Sequence, residues 1–549
     1  MNPSSAPAKK KSLLSVSNVA ALLMATAFVG QLLGVLRTKL VNANFPLVGP
    51  HSTDAYFAAF AVPDFFFFTL AAGALGVAFI PVLTDRLHKN GRKSAWELSA
   101  SLMNFLAIIM AAVAIFILVF ARPLIAHVVA PHLGKGLSAA DAHELQNTAV
   151  AIMRLLALNP LLFTISGILT SVQQTMGRFF FFAIAPLAYN LSIIVSVLIF
   201  SEAKGHDGGP HHLGLVGLGV GALIGAVLQL LIIIIGLWKT SFHWHPRINW
   251  RQPDFKTVLQ NLPPRSLDQG MDQVESVVEI HIASGLGTSS ITNYTNAFVL
   301  STAPILLLGT AISTAVFPKL NTFLSQNRPD LFRKEFLTVL RAMIWLSAPS
   351  VVVCYFARGY LARLIYSNGS PQIATIFGYL ALAIFFRIIY AIISRWFYAQ
   401  KDTKTPLFVS LFTIGLNIIL AVNLARPSAY GLNGLALAQS IVAMVEVLIL
   451  SAIMLFRDHH LFDAKFWNGI VRIMAVSGFS VVAGFIMISF YPLGLNDRGF
   501  VTLGSKLFFI TAVTFGVHVL VSSMLGLEEV RPVVRRIKKI VLNPIKIEI

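Results

Sequence analysis

The sequence is short of charged residues and of cysteine. Charged side chains make up only 12% of the 549 residues, while 56% of the residues are hydrophobic and the mean hydropathy is +0.76. A water-soluble protein of this length could not cover so much apolar surface, so we predict an all-α protein that crosses a membrane many times. The one cysteine, Cys354, excludes an internal disulfide framework.

Acidic residues are also scarce: 23 Asp and Glu stand against 42 Lys and Arg, which gives a formal net charge of +19. No aromatic–basic RNA-binding motif accompanies this excess, so nucleic acid is not expected as a partner. Basic loops on the cytoplasmic side and attraction to anionic membrane lipids explain the charge more simply. The chain also lacks a nucleotide-binding loop, a metal-binding His-Glu motif and a nucleophile elbow, so an enzyme is not expected.

Apolar runs of suitable length predict about fourteen transmembrane helices. The first continues without a cleavage pattern and is therefore interpreted as a spanning helix rather than a signal peptide. The predicted spans are 17–37, 53–84, 97–121, 148–176, 179–201, 213–238, 257–284, 289–318, 336–357, 371–399, 405–425, 430–456, 466–491 and 501–525.

Loop charges favour this count and predict that both termini are cytoplasmic. The predicted outer loops hold few basic residues: Lys39, Arg122, Lys135, Lys204, Arg358, Arg363, Arg426 and Arg498. The inner loops and the C-terminal segment hold many more, as the positive-inside rule requires. The bias holds only if the polar segment 257–284 spans, because its removal would place Lys401, Lys404 and the basic tail outside.

That seventh span carries a stripe of charge. Arg265, Asp268, Asp272, Glu275 and Glu279 advance by three or four residues and so share one helix face. A charged side chain at mid-membrane costs about 2.5–3.5 kcal/mol, so the stripe must face a wet cavity, bind cations or be partly protonated. For Asp268 and Asp272, solvation near the inner end stays an alternative. For Glu275 and Glu279 we favour a cation or proton role.

Similar segments recur along the chain. GLVGL at 214–218 matches GLNGL at 431–435, and Asn190 recurs as Asn417. The repeat predicts two parallel six-helix lobes, 1–240 and 241–460, around a central cavity. Two added helices (461–525) and a basic amphipathic cytoplasmic tail (526–549) follow. Pro63 is the predicted hinge of the second helix.

Three motifs resemble the MurJ/MviN family of lipid II flippases, within the multidrug/oligosaccharidyl-lipid/polysaccharide exporter superfamily. They are Ser52-Thr-Asp-Ala-Tyr-Phe57, Gln174-x3-Arg178-Phe179 followed by Ala185-Pro186-x3-Asn190, and Phe397-Tyr-Ala-Gln-Lys-Asp-Thr-Lys-Thr-Pro406. The resemblance implies fourteen helices in two lobes and alternating-access transport of an undecaprenyl-pyrophosphate-linked peptidoglycan precursor. It also implies the bacterial cytoplasmic membrane, with cell-wall synthesis proteins as partners. We expect a monomer.

The resemblance implies a cationic binding site. Arg37 stands where one family arginine of the first helix belongs. Gln31 occupies the place of the other, while Phe67, Phe68 and Val299 stand where further basic residues are usual. Charge is then expected from other helices, through Arg154, Arg265 and Arg387. The predicted substrate-binding residues are Arg37, Gln31, Asp54, Arg154, Asn190 and Arg265.

The resemblance further implies a sodium site between the seventh, eleventh and twelfth helices. Glu279 matches its acid and Asn417 one of its partners, with Glu275 and Asp272 as local modifiers and Glu446 as an additional carboxylate at the repeat position of Gln229. The expected coupling ion is sodium or a proton, with no other cofactor and no firm metal site. Two other functions remain open: a cation-coupled exporter of small amphiphiles, and a transport-inactive membrane scaffold.

Overall fold

The structure is a computed structural model that describes residues 16–72, 79–201, 213–238, 240, 242–366, 371–494, 497 and 499–535. Within these residues the regular elements are helices. Their bounds are α1 (Val16–Asn44), α2 (Asp54–Phe67), α3 (Ile80–Pro123), α4 (Ala139–Leu156), α5 (Asn159–Thr175), α6 (Phe180–Phe200), α7 (Val216–Gly236), α8 (Pro253–Ser284), α9 (Ser290–Pro304), α10 (Ala311–Ser325), α11 (Pro329–Phe356), α12 (Arg358–Ile365), α13 (Pro371–Ala399), α14 (Lys404–Leu424), α15 (Leu432–Arg457), α16 (Ala464–Phe490) and α17 (Phe500–Met524).

The predicted all-α, polytopic membrane fold is confirmed. In the described residues, 12 helical stretches are long and apolar enough to cross a membrane. Helices α1 and α8 are not among them, although they run for 29 and 32 residues. The α8 segment is too polar for a hydropathy criterion, as its charged stripe requires.

Helix bounds differ from the predicted spans around the second helix. Within the predicted span 53–84, α2 ends at Phe67, a π-helical turn covers Phe68–Ala72, and α3 begins at Ile80, while residues 73–78 lie outside the described residues. Helix α3 then runs through the predicted inner loop, interrupted at Gly91, whose φ of 77° departs from helical geometry. Pro63 lies inside α2 and the helix continues past it, so the local change of winding comes after the proline rather than at it.

The described residues form two compact units. Unit 1 contains the residues up to Phe45, Ala58–Val128 and Glu144–Val274. Its core packs α5 against α3 and α7, with Leu98, Leu102 and Ile168 fully buried. Helices α6 and α7 are closely paired because Gly221 has no side chain: a Cβ there would lie 2.2 Å from the Ser196 hydroxyl.

Unit 2 contains Pro46–Phe57, Val129–His143 and the residues from Glu275 onward. Helix α13 packs against α11 and α15, which matches the packing of α5 against α3 and α7 in unit 1. Helices α14 and α15 also pair, as α6 and α7 do. The same helix pairing therefore recurs in the two units, as expected for copies of one ancestral arrangement.

The start of the predicted cytoplasmic tail packs on unit 2. Leu527 and Val530 are buried against Trp345 of α11 and Ile473 of α16. The Arg341 guanidinium pairs with the buried Glu529 carboxylate at 2.6 Å. The apolar residues at this end of the tail are thus used in protein packing. The remaining predicted tail, residues 536–549, lies outside the described residues.

Candidate functional site

Helix α8 places two carboxylates together in unit 2. Glu275 and Glu279 are four residues apart, so their side chains stack on one face, one turn from each other. Glu279 is only 6% exposed, while Glu275 is half-buried. A pair of acids in such a position is costly unless polar groups or a cation compensate it.

Two amide side chains supply that compensation. Gln439 Nε2 of α15 donates to Oε1 of both acids, at 2.8 Å to Glu275 and 2.7 Å to Glu279. Asn417 Nδ2 of α14 donates to Glu279 Oε1 at 3.3 Å and also to Glu275. Asn417 is fully buried and Gln439 is 2% exposed. Helices α8, α14 and α15 therefore share one buried polar network, which we call the carboxylate centre.

The orientation of the Gln439 amide is fixed by an arginine. Arg387 of α13 donates to Gln439 Oε1, and a guanidinium can only donate hydrogen bonds. The NH2 group of Gln439 must therefore face the acids. The buried hydroxyl of Tyr294 lies close to Glu279 without meeting hydrogen-bond geometry.

The carboxylate centre brings two acids and the Arg387 guanidinium into one network. Carboxylates one turn apart on a helix repel each other when both are ionised, and a bound proton or cation would relieve this repulsion. Asn417 Oδ1 is buried without a hydrogen-bond partner and is an oxygen of the kind that hard cations bind.

The described residues contain no cluster of three or more His, Cys, Asp and Glu side chains that could hold a metal ion. The carboxylate centre offers two carboxylates with neutral oxygens instead. This donor set suits a proton or a monovalent hard cation such as sodium, and it lacks the nitrogen and sulfur ligands that transition metals prefer.

A cavity of about 390 Å³ lies within unit 1. Arg37 of α1 and Asp64 of α2 both line it, so a cation and an acid share the same space. The remaining lining is largely aromatic and includes Phe67, Phe68 and Tyr189. Arg37 is the predicted substrate-binding residue that the structure places in this cavity, together with the phenylalanines that stand in place of family basic residues.

The other predicted substrate-binding residues are distributed over several helices of unit 1. Gln31 is exposed on α1, and Asn190 is half-buried on α6. Arg154 is exposed at the end of α4, where its Nε donates to the Leu118 carbonyl at 3.3 Å. The Arg265 side chain, like that of Asp268, lies outside the described residues.

Asp54 belongs to unit 2 and has a defined partner within that unit. Its Oδ1 accepts from the Thr292 backbone N–H at 2.8 Å and from the Thr292 hydroxyl at 2.6 Å. The Thr53 and Thr292 hydroxyls are hydrogen-bonded at 2.9 Å. Asp54 is 3% exposed, so its carboxylate ties the segment before α2 to the first turn of α9.

Two further residues, Asp272 and Glu446, were predicted to take part in coupling. Asp272 is exposed on α8, one turn before Glu275. Glu446 of α15 accepts a hydrogen bond from Ser410 of α14 at 2.8 Å. Its repeat counterpart, Gln229, lines the unit 1 cavity.

Sequence reasoning missed Gln439, Tyr294 and Asp64. Gln439 carried a usable signal, because aligning GLVGL with GLNGL places it opposite Ala222, where the first copy has no polar group. Asp64 directly follows Pro63 and was the one acid inside an aromatic run. Tyr294 carried no comparable signal.

The chain was compared with known proteins. The family model described as "Lipid II flippase MurJ" matches residues 49–500. A relative from Rhizobium tropici named "Probable lipid II flippase MurJ" is 23% identical over 93% of this chain and 94% of its own length. A Borreliella burgdorferi relative with the same name is 23% identical over 79% of this chain and 83% of its own.

Solved structures show the same fold. A structure described as "Lipid II flippase MurJ, inward closed conformation" aligns with a TM-score of 0.73 at 22% identity, covering 92% of this chain and 98% of its own. A structure described as a multidrug resistance MATE family transporter aligns with a TM-score of 0.63 at 16% identity, covering 83% and 98%. Because the family model spans most of the sequence, including every element of the carboxylate centre, the chain belongs to the lipid II flippase MurJ family.

Proposed function

We propose that this protein moves lipid II, the lipid-linked peptidoglycan precursor, from the inner to the outer leaflet of the bacterial cytoplasmic membrane by alternating access. Family membership over residues 49–500 is the observation that carries this proposal, because relatives across that length bear the name lipid II flippase. The transmembrane helices of the chain suit a membrane-embedded substrate. Both termini are proposed to be cytoplasmic.

In this proposal Arg37 binds the pyrophosphate of the precursor. A guanidinium donates charge-assisted hydrogen bonds to phosphate oxygens, and these strengthen where aromatic walls exclude water. Arg37 lines a cavity with Phe67 and Phe68, which supply such walls. Asp64 in the same cavity opposes an anion, so it would set how strongly the cavity attracts pyrophosphate.

The proposed energy source is entry of sodium ions or protons through the carboxylate centre. Glu275 and Glu279 accept hydrogen bonds from the same two amides, so one ion or proton bound there changes the charge of the whole network. The network joins α8, α14 and α15, and binding an ion therefore biases how these helices pack. A ligand shifts a conformational equilibrium only through such differential binding.

Complementation tests the proposed substrate. A bacterial strain depleted of its own lipid II flippase should grow when it expresses this chain. It should not grow with the Arg37→Gln variant, because glutamine cannot replace the cation. The Arg122→Gln variant removes an exposed arginine of the same unit, one that donates to Asn147 Oδ1 at 2.7 Å, and should grow like the wild type. Failure of the wild type at verified membrane expression would contradict the proposal.

A second function is favoured by one observation. Asp64 shares the cavity with Arg37, and the lining is rich in aromatic rings. An acid within aromatic walls suits a cationic amphiphile. Export of such compounds predicts altered drug sensitivity on deletion of the gene, without accumulation of cell-wall precursor. Accumulated precursor with unchanged drug sensitivity would instead support lipid II transport.

A further inference from the structure

A second cavity lies in unit 2, at the end of α11 that the positive-inside rule predicts to be outside. It measures about 580 Å³ and is lined by α12 and by the adjacent ends of α11, α13 and α16. Arg358 and Arg363 of α12 form its polar side, and Phe485, Ile488 and Leu493 form an apolar side. We call it the α12 pocket. It is separate from the carboxylate centre and shares no residue with it.

Arg358 is held in place by its surroundings. Its side chain crosses Gly378 of α13, where a Cβ would lie 2.9 Å from Arg358 Cδ. The guanidinium stacks on the Tyr355 ring, 4.8 Å from the ring centroid, and donates to the Tyr355 carbonyl at 2.7 Å. Glycine at position 378 therefore makes room for the arginine stem, and the stacking fixes its head.

Arg363 is held by the segment that follows α16. Its Nη1 donates to the Gly494 carbonyl at 2.6 Å, in the segment between α16 and α17. Next to it, the Tyr360 hydroxyl donates to the Tyr491 carbonyl at 2.6 Å, and the Tyr360 side chain is 1% exposed. These two hydrogen bonds join α12 to Tyr491 and Gly494, which follow α16, and so hold this wall of the pocket in place.

Neither arginine forms an ion pair with a carboxylate of the described residues. The acid nearest to Arg363, Asp497, is bound by Lys506 at 2.7 Å. Hydrogen bonds from Lys506 and from the Gly494 backbone N–H keep the pKa of Asp497 below its usual value. Arg363 also donates to the Asp497 backbone carbonyl at 3.4 Å, and its charge contributes to the lowered pKa of Asp497. Arg358, Arg363 and Lys506 together carry three positive charges against the one carboxylate of Asp497, so these four side chains keep a net positive charge that attracts an anion.

We propose that the α12 pocket binds an anionic glycerophospholipid of the outer leaflet. Its phosphodiester lies between Arg358 and Arg363, and one acyl chain lies along Phe485, Ile488 and Leu493. Both sides of the pocket are then used: guanidinium groups suit phosphate oxygens, and the apolar wall suits a hydrocarbon chain. A free phosphate ion would leave the apolar wall unused.

This lipid stabilises the packing of α16 on the second lobe, because the pocket is formed by α11, α12, α13 and α16 together. Anything that binds only the assembled form raises its thermal stability. The inference does not depend on the transported substrate, and it concerns a different part of unit 2 from the carboxylate centre.

Native mass spectrometry of the purified full chain tests the inference, with phosphatidylglycerol and phosphatidylcholine of identical acyl chains as probes. We expect phosphatidylglycerol to bind about tenfold more tightly. Both lipids carry the phosphodiester, but the quaternary ammonium of phosphatidylcholine is repelled by the guanidinium groups, whereas the glycerol of phosphatidylglycerol is uncharged. Arg358→Gln should remove most of this preference, and Arg358→Lys should retain part of it. Arg363→Gln is the second variant and should act in the same direction.

Arg426→Gln is the matched control. Arg426 is exposed in another predicted outer loop, where it contacts Asn423, and its replacement removes the same charge. This variant should retain the preference for phosphatidylglycerol. Equal binding of the two lipids by the wild type, or equal losses in Arg358→Gln and Arg426→Gln, would overturn the inference.

Two competition experiments distinguish other occupants. Millimolar inorganic phosphate should not displace phosphatidylglycerol, and displacement would show a site for free phosphate instead. Purified lipid II should not compete at equimolar concentration, and competition would assign the pocket to the transported lipid. Thermal unfolding of each variant in phosphatidylcholine alone verifies folding, and a folded Arg358→Gln variant that still prefers phosphatidylglycerol would contradict the assignment.

Discussion

The two copies of the internal repeat carry different chemistry on matching helices. In unit 1, α6 and α7 present Asn190, Ala222 and Gln229, and small residues let the helices pack closely. In unit 2, the matching positions on α14 and α15 are Asn417, Gln439 and Glu446. The methyl group of Ala222 is thus matched by the amide of Gln439, and the amide of Gln229 by the carboxylate of Glu446.

This difference gives the two units different binding chemistry. Unit 1 holds a cavity with Arg37 and Asp64, which suits recognition of a charged ligand. Unit 2 holds the carboxylate centre, where buried acids and amides suit binding of a proton or small cation. Where two repeat copies pack in the same way but differ in polar residues at matching positions, those positions are therefore good candidates for functional residues.

The largest effect is expected from Glu279→Gln. The variant keeps the size and much of the hydrogen bonding but removes the ionisable group, so transport should fall by about tenfold or more, as for loss of a charged hydrogen-bond partner. Glu446→Gln is the control, because it restores the residue type found at Gln229 in the first copy. Rates of lipid flipping in vesicles at matched expression measure both. Equal losses would remove the distinction between the carboxylate centre and Glu446.

Asp64→Asn tests the charge of the unit 1 cavity. Removal of the acid leaves Arg37 without an opposing charge, so binding of a pyrophosphate-bearing lipid should tighten several-fold at low salt and less at high salt. The measurement is lipid binding to the purified chain across a salt series. Weaker binding of the anionic lipid would instead show that Asp64 positions Arg37.

Thr292→Val tests the anchor at Asp54. The substitution removes the hydroxyl that donates to Asp54 and leaves part of a buried carboxylate unsatisfied, which should lower the free energy of unfolding by about 1–3 kcal/mol. Thr338→Val is the control, since its exposed hydroxyl donates only to the Lys334 carbonyl of its own helix. Thermal unfolding in detergent compares them, and an equal stability for the two variants would show that the Asp54 contact is dispensable.

The smallest effect concerns Asp402, in the predicted inner loop between α13 and α14. Partial burial would raise the pKa of its carboxyl, but hydrogen bonds from Thr405 and Arg457 outweigh it and hold the pKa at about 2. A depressed pKa stabilises the fold above the unfolded-state pKa near 3.8, and this stabilisation is lost as the pH falls toward 2. The melting temperature of the wild type should fall between pH 6 and pH 2.5, and it should fall less in the Asp402→Asn variant. An identical pH dependence of the melting temperature in the two proteins would contradict this contribution of Asp402.

Much of the fold was predictable because membrane burial leaves a strong signal in the sequence. Apolar runs predicted the positions of most helices. The distribution of basic residues among the loops predicted a further, polar helix at 257–284, where the structure has α8. Helix ends were less predictable. The end of α2 depends on a local change of winding at Phe68–Ala72, and the interruption of α3 depends on the conformation of one glycine, Gly91.

The candidate site was predictable only where charge stood out against an apolar background. Glu275, Glu279 and Asn417 were singled out from the sequence, and the structure brings them together. Gln439 was not, because a lone amide in an apolar helix resembles a packing residue until its neighbours are known. The presence of Arg37 and Asp64 in one cavity could also be recognised only from the fold, since they lie on different helices.

The most direct test of the coupling role is transport under an imposed ion gradient. Vesicles containing the full chain are loaded with fluorescent lipid II, and flipping is followed under a sodium gradient, a pH gradient or neither. We predict that one gradient accelerates wild-type flipping and that neither accelerates the Glu279→Gln variant. A variant that responds to the gradient as the wild type does would contradict a coupling function for the carboxylate centre.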